Sequence, residues 1–209
     1  VGLERILPSR VGMLLSLLGV HVCPVPVHLD NAITRWEDHE VRKCLMPFLA
    51  GDMSLCTMNL RMAILSEQRR RFHAPWAIAS SYLADALLPI LSHSLNPSVL
   101  WCQSTPRDAA DLLLSVQPAA PGWSPSDALE LCTKRHQTLT RWLPGYRVCH
   151  LEASQILAGD PQIIDDIVEF CGISPTAEHH YHACAKWVVP QGESHAQEEE
   201  YAALYGERD

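Results

Sequence analysis

The sequence lacks the motifs by which several protein classes are recognised. It contains eight cysteines but no Cys-x-x-Cys pair, which argues against a zinc ribbon or a thioredoxin-type redox site. It also has no Gly-x-Ser-x-Gly or His-Glu-x-x-His motif. No apolar run is long enough to cross a membrane, and we find no secretory signal. We therefore expect a cytoplasmic protein with reduced thiols and no membrane association.

Positive charge is scarce as well. The chain has 16 Lys and Arg against 24 Asp and Glu, which gives a net charge of -8. Binding to nucleic acid needs a basic face, so we expect no nucleic-acid partner. The basic run 69–71 is predicted to be a solvated helix end. Since 47% of the 209 residues are hydrophobic, we expect a single domain over 1–209, with a polar, flexible tail over about 190–209.

Short apolar segments alternate with helical patterns along the chain. Strands are predicted at 76–79, 98–102 and 146–151, where apolar residues run together between turn signals. Helices are predicted at 9–20, 37–49, 52–72, 82–95, 106–114, 125–143 and 160–171, with a further short one at 196–204. This alternation predicts an α/β fold with a parallel sheet.

The N-terminal segment resembles the opening of bacterial sulfotransferases. In that family Gly-x-x-Arg-Ser-Gly-Thr-Ser precedes a helix that ends in Leu-Leu-Gly-Val. Here Gly2, Arg5 and Ser9 keep the frame, and the helix ends in the same four letters at 17–20. Four further segments resemble motifs of the family and occur in the same order as there: 31–40, 72–78, 106–110, and 148–152 with 160–173.

The resemblance implies a P-loop sulfotransferase-like fold, a three-layer α/β/α arrangement around a central parallel sheet. Little of the chain precedes Gly2, so we expect the first strand to be truncated or absent. The family transfers a sulfonate from 3′-phosphoadenosine-5′-phosphosulfate (PAPS) to a hydroxyl or an amine. The donor-binding positions implied for this chain are Arg5, Ser9, Ser104 and Arg107. The positions implied for a catalytic base near the acceptor are His28, Glu37 and His39.

The chain departs from the family at all three donor-binding elements. Ile6, Leu7 and Pro8 replace Ser, Gly and Thr in the opening loop, where backbone N–H groups would hold the phosphosulfate. Gln103-Ser104-Thr105 replaces the Arg at the end of the second strand, and Asp111 or Leu112 replaces a Ser one helical turn further on. Ala79–Tyr82 replaces Lys-Asp-Pro-Arg. Each replacement removes charge or hydrogen-bonding groups that an anionic donor needs.

Three hypotheses follow from these losses. The favoured one is a degenerate sulfotransferase-fold protein without a cofactor. It acts as a pseudoenzyme subunit in a homo- or hetero-oligomer with a sulfotransferase-like chain, or as a reused small-molecule-binding domain. The first alternative is an active sulfotransferase that binds PAPS and its product PAP (adenosine 3′,5′-bisphosphate) through an aberrant site. The second is a biosynthetic enzyme of a bacterial pathway that reuses the cleft without a cofactor.

A histidine-rich segment lies near the C-terminal end. His179-His180-Tyr181-His182-Ala183-Cys184 is predicted to be a surface loop. On an extended segment His180, His182 and Cys184 would face one side and could ligate zinc, but single-residue spacings are unusual for structural zinc. No metal is expected.

Overall fold

The computed structural model describes residues 1–4, 6–22, 39–71, 75–85, 97–116 and 124–187. Within these ranges the chain is a mixed α/β structure, mostly helical, with a small parallel sheet. Its helices are α1 (Ile6–Leu17), α2 (His39–Leu49), α3 (Leu55–Arg70), α4 (Pro106–Val116), α5 (Pro125–Trp142), α6 (Ala153–Ala158), α7 (Gln162–Cys171) and α8 (Ala177–Trp187), and its strands are β1 (Ser98–Gln103) and β2 (Arg147–Glu152).

The sheet is parallel and in register from end to end. Ser98 pairs with Arg147 at one end, and Gln103 pairs with Glu152 at the other. Gly2 forms a parallel bridge to Cys102 along the opposite edge of β1. Two backbone hydrogen bonds support this bridge, one from the Val1 nitrogen to the Leu100 carbonyl and one from the Cys102 N–H to the Val1 carbonyl, both of 2.8 Å. A shortened first strand was expected at the start of the chain. Among the described residues there, the strand pairing consists of this one bridge.

The two faces of β1 pack against different helices, because successive side chains of a strand point to opposite sides. Val99 and Trp101 belong to a core with α4 and α5, which contribute small residues such as Ala109 and Ala128. Cys102 and β2's Leu151 belong to a second core, which α1, α7 and α8 supply with leucine, isoleucine and Trp187. The sheet is therefore covered on both sides where these strands lie.

Helices α2 and α3 form a third apolar cluster with the turn Ser81–Ala84. Val41 and Leu45 of α2 pack there with Met58 and Met62 of α3. Ser54 caps α3, because its hydroxyl accepts a hydrogen bond from the Thr57 N–H at 3.2 Å. Within the described residues, no helix is both long enough and apolar enough to span a bilayer.

Several predicted elements differ from the structure. The first helix begins at Ile6 rather than residue 9, because Glu4 caps it and Pro8 fits its first turn. The strand predicted at 76–79 is only a bridge from Trp76 to His21. The helix predicted at 82–95 is a 3-10 turn over Ser81–Ala84, and 86–96 lies outside the described residues. Helix α6 was not predicted, because its six residues are too short to show a period.

The prediction for the histidine-rich segment was wrong. Residues 179–184 lie within α8, not in a loop. A helix turns each residue by about 100°, so His180 and Cys184 share a face while His182 points elsewhere. The Sγ atom of Cys184 lies 3.6 Å from His180 Nδ1, and His182 lies 3.8 Å from Glu178. Among the described residues, no group of three or more His, Cys, Asp or Glu side chains could hold a metal ion.

Candidate functional site

The candidate site lies where the two strands end. Gln103 and Glu152 are the last residues of β1 and β2. Helix α4 begins three residues after Gln103, and α6 begins directly after Glu152. Open parallel sheets bind ligands in the crevice beyond the carboxyl ends of their strands. Here that crevice is a pocket of about 390 Å³, lined by Gln103, Ser104, Thr105, Pro106, Asp108, His136, Glu152, Ala153 and Ser154. We call it the strand-end pocket.

Local hydrogen bonds fix one wall of the strand-end pocket. The Thr105 hydroxyl accepts from the Asp108 N–H at 3.1 Å and donates to the Asp108 carboxylate at 2.6 Å. This pair caps α4 and holds its first turn against the pocket. The side-chain oxygen of Gln103 lies 3.1 Å from His150 Nδ1 on β2, so the two strand ends are also joined side by side.

Buried polar atoms without partners surround the same place. Ser104 Oγ, His136 Nδ1 and Trp101 Nε1 are buried, and none has a hydrogen-bond partner among the described residues. Ser104 and His136 line the pocket, and the Trp101 ring lies 6.0 Å from that of His136. An unsatisfied buried polar group costs about 1–3 kcal/mol. Such a cluster beside a cavity is typical of a site whose ligand supplies the missing hydrogen bonds.

The N-terminus of α1 lies near the same edge of the sheet, and a carboxylate of the chain itself occupies it. Glu4 is fully buried, and its carboxylate accepts hydrogen bonds from the backbone N–H groups of Ile6 and Leu7, the latter at 3.0 Å. Pro8, the third residue of the helix, has no N–H. The first three positions of α1 therefore present no free N–H group to an external anion.

Gly2, which the sequence comparison placed in the opening motif, has a packing role. A Cβ atom built on Gly2 would lie 2.9 Å from Pro8 Cγ and 3.3 Å from Cys102 Cβ. Only glycine lets the backbone approach both groups this closely. Gly2 is thus required by the contact between the first turn of α1 and β1, independently of any donor.

Arg135 holds the segment before Glu4 in place. Its side chain is 5% exposed and binds both carboxylate oxygens of Asp85, with the shortest contact at 2.6 Å. Its Nη1 donates to the Leu3 carbonyl at 2.9 Å. Arg135 and His136 are neighbours on α5. The same turn of this helix therefore contacts the segment before Glu4 and lines the strand-end pocket.

These contacts do not fit the PAPS donor. A phosphosulfate at the start of α1 would need the N–H groups that Glu4 already occupies, and it would meet the buried carboxylate. Two like unit charges about 4 Å apart repel by roughly 4 kcal/mol at an effective dielectric of 20. The pocket wall offers Gln103 and Ser104 where the family has an arginine, and Asp108 adds negative charge.

Of the four predicted donor-binding residues, the three that the structure describes do not come together. Ser104 lines the strand-end pocket. Arg107 lies exposed in the first turn of α4 and does not line it. Ser9 is 1% exposed inside α1, so it cannot meet a donor, and Arg5 lies outside the described residues. Asp111, predicted to sit in the donor's phosphate site, is exposed on α4 away from the pocket lining.

The predicted catalytic positions lie mostly outside the described part of the chain. This holds for His28 and Glu37, while His39 is the first residue of α2 and its side chain is not described. Sequence reasoning missed three residues of the site: Glu4, His136 and Glu152. The Glu4 cap had a signal, since an acidic residue just before a helix start favours its N-terminus. His136 had none, because its place depends on how α5 packs on β1.

The chain shows no significant similarity to any protein-family model, to any curated protein or to any solved structure.

Proposed function

We propose that this chain is a degenerate sulfotransferase-fold protein that no longer uses PAPS and instead binds a small molecule in the strand-end pocket. The single observation that carries the proposal is the buried Glu4 carboxylate on the N–H groups of Ile6 and Leu7. In this proposal, the Glu4 carboxylate takes the place that a bound external anion would have at the start of α1. The loss of donor chemistry at Gln103 and Ser104 agrees with it.

The packing around β1 supports the sulfotransferase-like part of the proposal. Two parallel strands joined through α4 and α5, with separate cores on the two faces of β1, are features of a three-layer α/β/α arrangement. The bridge at Gly2 places a further parallel segment beside β1, directly before the helix that follows the family's opening loop. These features agree with the order of motifs in the sequence.

The strand-end pocket supports the binding role. Its volume of about 390 Å³ lies within the 300–1,000 Å³ range that is usual for small-molecule sites. Its wall combines apolar surface from Pro106 and Ala153 with the hydrogen-bonding groups of Ser104 and His136. A ligand that bonds to these two atoms supplies hydrogen bonds that no described residue provides.

One observation favours a second candidate function, a cofactor-free reaction on a small metabolite. The His136 imidazole lines the pocket, and no described residue forms a hydrogen bond with its Nδ1 atom. An imidazole with a free ring nitrogen beside a bound ligand is suited to general acid–base catalysis. Turnover of a bound compound that His136→Gln abolishes, without added nucleotide, would support this candidate.

The binding role can be tested by ligand-observed NMR with a fragment library. Ala153→Phe fills the pocket wall, and Ala158→Phe is its matched control on the exposed end of the same helix. We expect fragments that bind the native protein and Ala158→Phe but not Ala153→Phe. Fragments that bind all three proteins equally, or none at all, would refute the proposed site.

A further inference from the structure

The charge of the strand-end pocket carries an inference about the kind of molecule it binds. We propose that the ligand carries an amine or another cationic group, with a hydroxyl or carbonyl group beside it. The inference rests on the proposed binding role of the pocket and specifies its chemistry. The charge of this ligand is opposite in sign to that of the anionic donor of the sulfotransferases.

The pocket carries two carboxylates and no permanent positive charge among the described residues that line it. Glu152 and Asp108 supply the negative charges, and His136 is the one basic group in the lining. Arg107 follows Pro106 in the chain, but its side chain is exposed and not part of the wall. An anionic ligand would be repelled by both carboxylates, whereas an ammonium group would be attracted to them.

The two carboxylates differ in what they already bind. Asp108 accepts hydrogen bonds within the α4 cap, from the hydroxyl of Thr105. Glu152 precedes α6, but its side chain makes no capping hydrogen bond, and no described residue forms an ion pair with it. Its acceptor capacity is therefore available to a ligand, and a carboxylate can accept several N–H bonds from one ammonium group.

The two buried polar atoms of the pocket lining define the second feature of the ligand. Ser104 can both donate and accept through Oγ, and His136 Nδ1 donates or accepts according to its tautomer. A hydroxyl or carbonyl oxygen satisfies either atom. An amine facing Glu152 and an oxygen facing Ser104 together match the polar groups that the pocket offers.

Matched fragments separate this inference from the binding role on which it rests. The probes are 2-phenylethylamine, 3-phenylpropionate and 3-phenylpropionamide, which share a ring and chain and differ in charge, each titrated by NMR against native protein and Ala153→Phe. We expect the amine to bind most tightly and to lose binding in Ala153→Phe. Equal or tighter binding of the carboxylate at this pocket overturns the inference but leaves the binding role intact. If none of the three probes binds in the pocket, the inference is overturned. If no fragment of the library binds there either, the binding role is refuted as well.

Two variants test whether Glu152 is the source of the preference. In Glu152→Gln the ratio of amine to neutral amide affinity should fall about fivefold, which corresponds to the loss of one unit-charge attraction at ~4 Å in water. Glu169→Gln, an exposed carboxylate on α7 outside the pocket, should leave the ratio unchanged. The native preference should also weaken as salt is added. An unchanged ratio in Glu152→Gln would contradict the assignment.

Discussion

The carboxylate of Glu4 accepts a hydrogen bond from the backbone N–H of Leu7 at 3.0 Å, inside the fold. The sulfotransferase resemblance places an anion at the start of this helix, and the structure shows an anion there that belongs to the chain. Helix N-termini favour negative charge in either case. In the proposed account, the helix start keeps its preference for an anion, and the chain itself supplies that anion.

The Glu4 cap should contribute measurably to stability. In Glu4→Gln the charged acceptor of the Ile6 and Leu7 N–H groups becomes a neutral amide. Hydrogen bonds to charged groups are worth roughly 1.5–3 kcal/mol and those to neutral groups roughly 0.5–1.5 kcal/mol, so the free energy of unfolding should fall by roughly 1 kcal/mol. Urea denaturation monitored by circular dichroism measures it. The control is Glu130→Gln, whose carboxylate pairs with Lys134 in solvent and should change stability by less than about 0.5 kcal/mol.

The Arg135–Asp85 pair should be coupled strongly. Arg135→Met leaves the carboxylate of Asp85 without its partner, and the Leu3 carbonyl then has only the weak thiol donor of Cys132 at 4.0 Å. The side chain of Asp85 is 22% exposed, so the loss should stay below the roughly 3–5 kcal/mol of a fully buried pair. We expect the double variant with Asp85→Leu to recover part of the loss. A double-mutant cycle in urea with strictly additive effects would contradict this coupling.

The capping box of α5 should make stability depend on pH. Hydrogen bonds from the Ser124 side chain and backbone hold the pKa of Asp127 below its ordinary value of 3.8. A carboxyl with a depressed pKa in the folded state stabilises the fold above its unfolded pKa. That contribution is lost as the pH falls through the folded pKa. The stability gap between native protein and Asp127→Asn should therefore be full above about pH 5 and should close toward pH 2.

Cysteine reactivity should follow burial. Burial raises the pKa of the Cys102 thiol to about 12, so almost none of it is thiolate at pH 8. Cys56 is exposed on α3. With iodoacetamide at pH 8, mass spectrometry should show Cys56 as the first of the described cysteines to be modified and Cys102 as protected until urea unfolds the protein. Rapid labelling of Cys102 in native conditions would contradict the packing of β1 against α1.

The sequence was sufficient for features that depend on local chemistry. The apolar runs around Leu100 and Val148 predicted both strands to within one residue at each end. Pro106 and Pro125 marked the starts of α4 and α5, because proline favours the first turn of a helix. The site was harder, since contacts between distant parts of the chain create it. Ser104 was predicted from the family resemblance as a donor-binding position, whereas His136 comes from a helix packed against β1.

The measurement that tests the central claim most directly is isothermal titration with adenosine 3′,5′-bisphosphate, the product that PAPS leaves behind. Native protein and Glu4→Gln are compared in low salt. The account predicts no binding to the native protein, because Glu4 occupies Ile6 and Leu7 and Pro8 has no N–H to offer. It predicts none to Glu4→Gln either, since the amide keeps a hydrogen-bond acceptor there. Micromolar binding by the native protein would contradict the claim that this chain has given up the sulfonate donor.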